Sequence, residues 1–370
     1  MTKKIITAIS VFIVTAIAIL PMVLMHISYA TTPSPSMLFG TNIGLYNSSD
    51  PFISNSTFRN EMSTIHIQTI RMPIRESGTP SPPSTIEIQA MKDIHSMNDV
   101  PLIILNGPIH PSYISDDKSI ISAARAIFTG QDIYYEFGNE EDCCTSPTIS
   151  PQGYVAGWNS FFNNITLNSN EHIGGPVISH YDHNWISTFT SGAIHKPDFV
   201  SWHEYTCSPG TSDSQCIGNI NNWSSHMNDY HSYANYPVFI SEWNYDAVSD
   251  TRSDSFVASW TSAAMDMLFN LHVAAAYQYE VATSATEHLI NDNGTPTIQG
   301  TTFQTEYEKL SGTPTPAPSP SITPSPSITP SPTPVPCDIK CQEHKLIDKL
   351  EQELRTILQQ IDRLEKLLGI

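Results

Sequence analysis

The feature that most constrains the fold is a regular alternation of two hydrophobic patterns between residues 36 and 312. Short apolar runs, typical of buried strands, alternate with longer stretches whose apolar residues recur at helical spacing. Eight strand-like runs are present, at residues 37–46, 69–75, 100–106, 133–140, 172–179, 199–205, 237–243 and 274–280. The helix-like stretches between them include 85–97, 119–128, 153–165, 185–192, 223–234 and 255–271.

Eight strands that alternate with helices over about 275 residues match the count and size of a TIM barrel. We therefore predict an α/β fold, a (β/α)8 TIM barrel over residues 31–312. A hydrophobic content of 39% is sufficient for a core of that size. The alternative is a doubly wound open sheet, which would normally carry a glycine-rich phosphate loop after its first strand. The sequence has no such loop.

The N-terminal 30 residues have the pattern of a secretory signal peptide. Lys3 and Lys4 precede a long apolar run, and Ser28 and Ala30 suit a signal-peptidase site. The apolar run is also long enough to remain in the bilayer as a signal anchor. Six cysteines and five Asn-x-Ser/Thr triplets, at Asn47, Asn55, Asn164, Asn222 and Asn293, agree with export. We expect a secreted or cell-surface protein, glycosylated where its host has the machinery.

The C-terminal part has two further segments. Residues 313–336 form a Pro/Ser/Thr tract that predicts an extended linker. Residues 337–370 carry apolar side chains in steps of three and four, at Ile347, Leu350, Leu354, Ile357, Ile361, Leu364 and Leu368. This heptad pattern predicts a coiled coil that makes the protein a homo-oligomer through residues 347–368, with Cys337 and Cys341 as interchain bridges. The alternative is one amphipathic helix docked on the barrel.

Two glutamates lie where strands four and seven end. In a TIM barrel the active site is built at the C-terminal ends of the strands. Glu140 and Glu242 are 242 − 140 = 102 residues apart, close to three strand–helix repeats, so they can face each other across the barrel mouth. A facing pair of carboxyl groups is what enzymes use to hydrolyse glycosidic bonds with retention of the anomeric configuration. The alternative is that both are solvated acids at loop edges.

The residues around these glutamates resemble those of the retaining glycosidases of glycoside hydrolase clan A. The matching stretches are "GNE" at 138–140, "SEW" at 241–243, "IRMP" at 70–73 and "WHEY" at 202–205. The combination is most similar to families 39, 51 and 79, which include xylosidases, arabinofuranosidases and glucuronidases.

The resemblance implies a role for each matching residue. Glu140 would be the general acid/base and Glu242 the nucleophile, with Asn139 bound to the sugar 2-hydroxyl and Arg71 holding the nucleophile ionised. His203 and Tyr205, two residues apart and so on one strand face, would orient Glu242 and contact the sugar. Further substrate contacts would come from Trp243, which alternatively packs in the core, and from Tyr279.

Two departures from the family pattern concern the site. The proline that usually follows the acid/base is replaced by Glu141, and the strand-eight tryptophan is replaced by tyrosines and Glu280. We also expect Glu136, on the same face as Glu140, to pair with Arg71 or Arg75 because an acid inside a barrel needs a partner.

Cys207 and Cys216 bracket a short loop and are expected to bridge it. Cys143 and Cys144 could bond to each other or to that loop.

The sequence as a whole predicts a secreted retaining glycoside hydrolase whose partner is a polysaccharide or oligosaccharide. A formal net charge of −19 argues against nucleic-acid binding, and no cofactor or metal is implied. The alternative is a catalytically inactive carbohydrate-binding surface protein on the same barrel, multimerised by the coiled coil. A structural oligomer at the cell surface would leave the two strand-end glutamates unexplained.

Overall fold

A computed structural model describes residues 35–75, 83–144, 148–208, 210–246, 252–282 and 287–312. The predicted signal segment at 1–30, the linker at 313–336 and the coiled coil at 337–370 lie outside the described residues. In the part of the chain that is described, no helix combines the length and the apolar character needed to cross a membrane.

Eight parallel strands close into a barrel in the order β1 to β8, and β8 pairs with β1. This confirms the predicted eight-stranded barrel. The strands are β1 Gly40–Asn42, β2 Thr69–Met72, β3 Val100–Leu105, β4 Ile133–Phe137, β5 Glu171–Ile178, β6 Phe199–Tyr205, β7 Val238–Asn244 and β8 Ala275–Gln278. Because all strands are parallel, their C-terminal ends meet at one mouth.

Helices alternate with the strands and surround the barrel. They are Pro35–Leu38, Pro51–Ser54, Ser56–Thr64, Thr85–Met97, Tyr113–Ile127, Pro151–Asn164, His183–Gly192, Asp213–Asn219, Asn221–His231, Asp254–Asn270 and Ile298–Leu310. The helix Thr85–Met97 has the predicted bounds because its ends are capped by its own sequence. Ser84 and Glu87 form a capping box, and Asn98 ends the helix in the left-handed conformation. Ser56–Thr64 and Ile298–Leu310 are additional to the predicted set.

The first strand differs from the prediction. The run 37–46 was expected to be one strand, whereas only Gly40–Asn42 is, and the short helix Pro35–Leu38 precedes it. Leu45 has a φ of 52°, which is incompatible with extended backbone. Gly40 allows a close approach to β8, because a Cβ there would lie 2.7 Å from the Ala276 carbonyl oxygen. The prediction was therefore too long at both ends.

The apolar core has two parts. Inside the barrel, a cluster consists of Leu102, Phe199, Phe239, Ala275 and Tyr277. A larger core lies between the strands and the helices and includes the fully buried Trp158, Trp202, Trp243 and Trp260. Successive residues of a strand face opposite sides of the sheet, so strands such as β6 and β7 contribute to both parts. The barrel interior is thus filled with side chains below the mouth, and the polar groups collect above.

Candidate active site

Arg71 on β2 is the centre of a buried polar network at the barrel mouth. Its side chain is 2% exposed and donates hydrogen bonds to four acceptors. They are Glu136 Oε2 at 2.6 Å, Glu242 Oε1 at 2.7 Å, Asn139 Oδ1 at 2.6 Å and Asn42 Oδ1 at 2.9 Å. Burial disfavours the charged guanidinium, but the carboxylates of Glu136 and Glu242 outweigh this and raise the pKa of Arg71. The expected pairing of Glu136 with Arg71 is confirmed.

Glu242 on β7 has a donor on each of its carboxylate oxygens. Arg71 Nη1 donates to Oε1, and the Tyr205 hydroxyl donates to Oε2 at 2.7 Å. The carboxylate is thus held between β2 and β6 with its orientation fixed. Burial and the charge of Glu242 raise the pKa of Tyr205 far above its ordinary value, so the phenol remains a donor.

Glu140 lies after β4 and is joined to His203 on β6. His203 Nδ1 is 2.9 Å from Glu140 Oε1 and 3.5 Å from Glu242 Oε2. One carboxylate oxygen of each glutamate and a nitrogen of His203 all lie within 4.8 Å of one another. The two strand-end acids predicted from the sequence therefore face each other across the mouth. Glu140 is the more open of the two, with 24% of its side chain exposed against 10% for Glu242.

Glu140 and His203 share a proton. Burial raises the pKa of Glu140, but the hydrogen bond and charge of His203 outweigh it and the pKa is lowered. Burial lowers the pKa of the His203 imidazole, but the charge of Glu242 and the bond to Glu140 outweigh it and the pKa is raised. The shared proton thus favours the imidazole.

The loop that carries Glu140 is held by local structure. Gly138, with a φ of 86°, ends β4, and Glu140 itself has a φ of 52°. The Glu140 backbone N–H donates to the Val177 carbonyl oxygen at 2.8 Å, and Ser179 donates to the Asp142 carboxylate from its backbone and its hydroxyl. The loop is therefore anchored to the end of β5.

Two disulfides lie near the mouth. Cys143 is bonded to Cys144, and a sulfur of each lies within 4.8 Å of a Glu140 carboxylate oxygen. Cys207 is bonded to Cys216, which confirms the predicted bridge and ties the end of β6 to the helix Asp213–Asn219. The open alternatives for Cys143 and Cys144 are resolved in favour of a bond between neighbours in sequence.

The structure does not bring Trp243 to the site, so this expected substrate contact is corrected. Its ring is fully buried and lies beside Trp260 of the helix Asp254–Asn270, with ring centroids 6.0 Å apart. Alternation explains this, because Glu242 faces the mouth and its neighbour on β7 must face the helices. Trp202 is fully buried as well. Tyr279, directly after β8, is half-buried, and its pKa is raised by burial and by the charges of Glu280 and Glu242.

Three polar residues of the site are additional to the predicted set. Asn42, at the end of β1, accepts from Arg71 and donates to the Ser241 carbonyl oxygen at 3.1 Å. Glu280 and Glu141 are each 1% exposed, and burial raises the pKa of each to about 8. The sequence signal for all three was a polar residue at a strand end, the same signal that identified Glu140 and Glu242.

Among the residues that the structure describes, one group that could hold a metal ion is Glu140, His203 and Glu242, whose ligand atoms lie within 4.8 Å of one another. Another is Glu140 with Cys143 and Cys144, whose sulfurs are bonded to each other. Both oxygens of Glu242 already accept hydrogen bonds, and the Arg71 guanidinium lies against one of them. A cation next to a guanidinium is disfavoured by like-charge repulsion. The donor set therefore suits proton transfer better than metal binding.

Two acids at the ends of strands four and seven of a TIM barrel, with an arginine beside the second, form an arrangement suited to the hydrolysis of glycosidic bonds. The profile described as "Glycosyl hydrolase catalytic core" matches residues 115–303, about half of the chain. The chain belongs to this family and is a glycoside hydrolase.

Solved structures of glycoside hydrolases share the fold. A family 128 endo-β-1,3-glucanase from Amycolatopsis mediterranei, in complex with laminaripentaose, is 16% identical with a TM-score of 0.51, covering 72% of this chain and 98% of its own. A glucosidase from Croceicoccus marinus is 13% identical in sequence, with a TM-score of 0.59. The match covers 75% of this chain and 68% of the glucosidase. A family 51 α-L-arabinofuranosidase from Bifidobacterium longum is 12% identical in sequence, with a TM-score of 0.57. The match covers 74% of this chain and 73% of the arabinofuranosidase. No curated protein sequence matches the chain.

Proposed function

We propose that the protein is a retaining glycoside hydrolase that cleaves O-glycosidic bonds of a glycan by double displacement. The observation that carries this proposal is the separation of the two acids, whose nearest carboxylate oxygens lie within 4.8 Å. Retaining enzymes hold their carboxyl groups about 5–5.5 Å apart, whereas inverting enzymes need about 6.5–9.5 Å to admit a water. The short distance between the nearest oxygens supports the retaining arrangement, in which no water stands between the two acids.

The surroundings of the two acids support different roles. Glu242 accepts hydrogen bonds from Arg71 and Tyr205 on its two oxygens, which fix the orientation of the carboxylate, as a nucleophile requires. Glu140 is more open and has His203 as its proton partner, as an acid/base requires. Asn139, whose Oδ1 accepts a hydrogen bond from Arg71, would bind the sugar 2-hydroxyl.

The first half-reaction transfers the shared proton. A sugar that covers the mouth removes water, which favours the neutral form of the Glu140–His203 pair, with the proton on Glu140. Glu140 gives this proton to the leaving oxygen while Glu242 attacks the anomeric carbon and forms a glycosyl ester. In the second half-reaction Glu140 takes a proton from a water, the water attacks the same carbon, and Glu242 is released. The shared proton is then restored.

The remaining expectations belong to the same proposal. The signal-like segment at 1–30, together with two disulfides in the barrel, supports a place outside the reducing cytosol, secreted or at the cell surface. Oligosaccharide complexes of the Amycolatopsis enzyme support an oligosaccharide or polysaccharide substrate. Oligomerisation through residues 347–368 would raise avidity for such a polymer.

The proposal is tested by trapping the glycosyl-enzyme ester. The full secreted chain is incubated with a panel of activated 2-deoxy-2-fluoro glycosides, and the intact protein is weighed by mass spectrometry. We expect one sugar-sized mass increase, absent in Glu242→Gln and retained in Glu204→Gln. Glu204 is a suitable control because it is a buried acid on the face of β6 opposite His203 and Tyr205, where it is hydrogen-bonded to Trp202 and His226. Glycan binding with no adduct across the panel would instead support a non-catalytic carbohydrate-binding protein.

A further inference from the structure

A second cavity adjoins the site on the β2–β4 side. It has a volume of about 420 Å³ and lies between the loops that follow β2, β3 and β4. Its polar lining comes from Arg75, Asn106, His110, Asn139 and Glu141. Asn139 also accepts from Arg71 in the active site, so the cavity begins where the catalytic network ends. The volume falls within the range of about 300–1,000 Å³ that is typical of small-molecule sites.

Two buried groups in this lining are poorly hydrogen-bonded among the described residues. Glu141 is 1% exposed, and neither carboxylate oxygen makes a well-formed hydrogen bond, although the Ile109 backbone N–H lies near. Asn106 is 6% exposed, and its Nδ2 donor has no partner. Buried polar groups left unpaired are rare unless something binds them. Here an unpaired donor and a poorly paired acid belong to residues that line one cavity.

The backbone around Glu141 leaves space for its carboxyl group. A Cβ at Gly107 would lie 1.5 Å from Glu141 Oε1, and a Cβ at Gly138 would lie 2.9 Å from the same oxygen. Any side chain at Gly107 would therefore displace the acid. Glycines on the loops after β3 and β4 thus leave room for this carboxyl group.

The chemistry of these groups suits a neutral polyol. Burial raises the pKa of Glu141 to about 8, which the nearby Ile109 backbone N–H only partly offsets. Near neutral pH the group is a carboxylic acid, with one O–H donor and a carbonyl acceptor. The Glu141 carboxylic acid and the Asn106 amide together offer hydrogen-bond donors and an acceptor. Each sugar hydroxyl can both donate and accept a hydrogen bond.

We infer that this cavity is a glycone subsite, in which Glu141 and Asn106 bind hydroxyl groups of the sugar that precedes the cleaved residue. The position of the cavity relative to Glu140 indicates whether it binds the glycone or the leaving group. Glu140, which protonates the leaving oxygen, turns toward β5 and β6, where it contacts Val177 and His203. The cavity lies on the other side of Asn139. This inference rests on the proposed retaining function, which assigns the glycone side and the leaving-group side of the site.

The test compares substrates that differ only in that sugar. The probes are the 4-nitrophenyl monoglycoside and disaccharide glycoside of the sugar that labels the enzyme in the 2-fluoro panel. In Glu141→Leu we expect kcat/KM to fall about tenfold on the disaccharide glycoside, since one or two hydrogen bonds are lost, and to stay within about twofold on the monoglycoside. Glu141→Gln, which keeps a donor and an acceptor, should lie within about threefold of the parent on both.

A buried acid at the opposite end of the barrel is the matched control. Asp99, before β3, is 7% exposed, and burial raises its pKa to about 7, so Asp99→Asn should leave both kinetic constants unchanged. Equal effects of Glu141→Leu on the two substrates, or no effect on either, would overturn the inference and make Glu141 a structural acid.

A binding measurement separates this inference from the proposed function. Calorimetric titration of laminaritriose and xylotriose is repeated on the full chain carrying Glu242→Gln, with and without Glu141→Leu. If no 2-fluoro adduct forms but Glu141→Leu weakens trisaccharide binding about tenfold, the subsite stands while the catalytic proposal fails. If an adduct forms and Glu141→Leu leaves trisaccharide binding unchanged, the subsite is refuted alone.

Discussion

Replacing Arg71 with methionine should destabilise the fold by an amount that the structure allows to be estimated. The change removes every hydrogen bond that Arg71 donates to Glu136, Glu242, Asn139 and Asn42. The decisive loss is at Glu136, which is 0% exposed and whose other oxygen already has no partner among the described residues. Arg71→Met therefore leaves an uncompensated carboxylate inside the barrel.

Breaking a buried ion pair by removing one partner costs about 3–5 kcal/mol. For a domain of this size, 1 kcal/mol corresponds to about 2 °C in Tm, so we expect Tm to fall by roughly 6–10 °C. Removing Glu136 as well should recover at least half of the loss, because replacing both partners by neutral groups is nearly neutral in energy. The assay is urea unfolding and calorimetry of the parent, Arg71→Met, Glu136→Gln and the double variant.

Asp266→Asn is the control for this prediction. Asp266 pairs with Lys309 on the surface, where both side chains are more than 40% exposed, and Lys309 keeps Glu306 as a partner, so the loss should cost less than about 1 kcal/mol. The reasoning is refuted if Arg71→Met costs less than about 1 kcal/mol, or if adding Glu136→Gln brings no recovery.

Three further predictions concern the acid/base, its loop and the buried acids. Glu140→Ala should lower kcat/KM strongly on substrates with poor leaving groups and little on 2,4-dinitrophenyl glycosides, with azide restoring turnover; a uniform loss would refute the acid/base role. Replacing Cys143 and Cys144 with serine should lower kcat/KM several-fold because the disulfide between them holds the Glu140 loop. The same change at Cys207 and Cys216 should lower Tm with less effect on kcat/KM. Burial raises the pKa of Asp117 to about 9 and that of Glu141 to about 8, above their values in the unfolded chain. The native state therefore retains protons that the unfolded chain loses above about pH 4, so the free energy of unfolding should decline from pH 5 to pH 9. Urea unfolding at several pH values should show a shallower decline in Asp117→Asn, and an equal slope would contradict the assignment.

The sequence alone determined the features that depend on local pattern. The period of the apolar residues specified strands and helices in alternation, and a chain of eight such repeats has few ways to bury its faces other than a closed barrel. Once the barrel is assumed, the position of Glu140 and Glu242 at strand ends is sufficient to predict that they meet. Glu136 likewise required a partner, and Arg71 was one of two candidates.

Only the tertiary structure decided which neighbours each polar group received. Asn42 and Arg71 are 29 residues apart and meet because β1 and β2 pair in a particular register. The pairing of β6 with β7 has an irregular register between Trp202 and His203, and the pairing of β7 with β8 has one between Ile240 and Trp243. These irregularities set the height at which His203 meets Glu242. The cavity beside Glu141 depends on three loops that come together only when β2, β3 and β4 pair. Local periodicity carries no information on register or closure, because these are fixed by the packing of residues far apart in the chain.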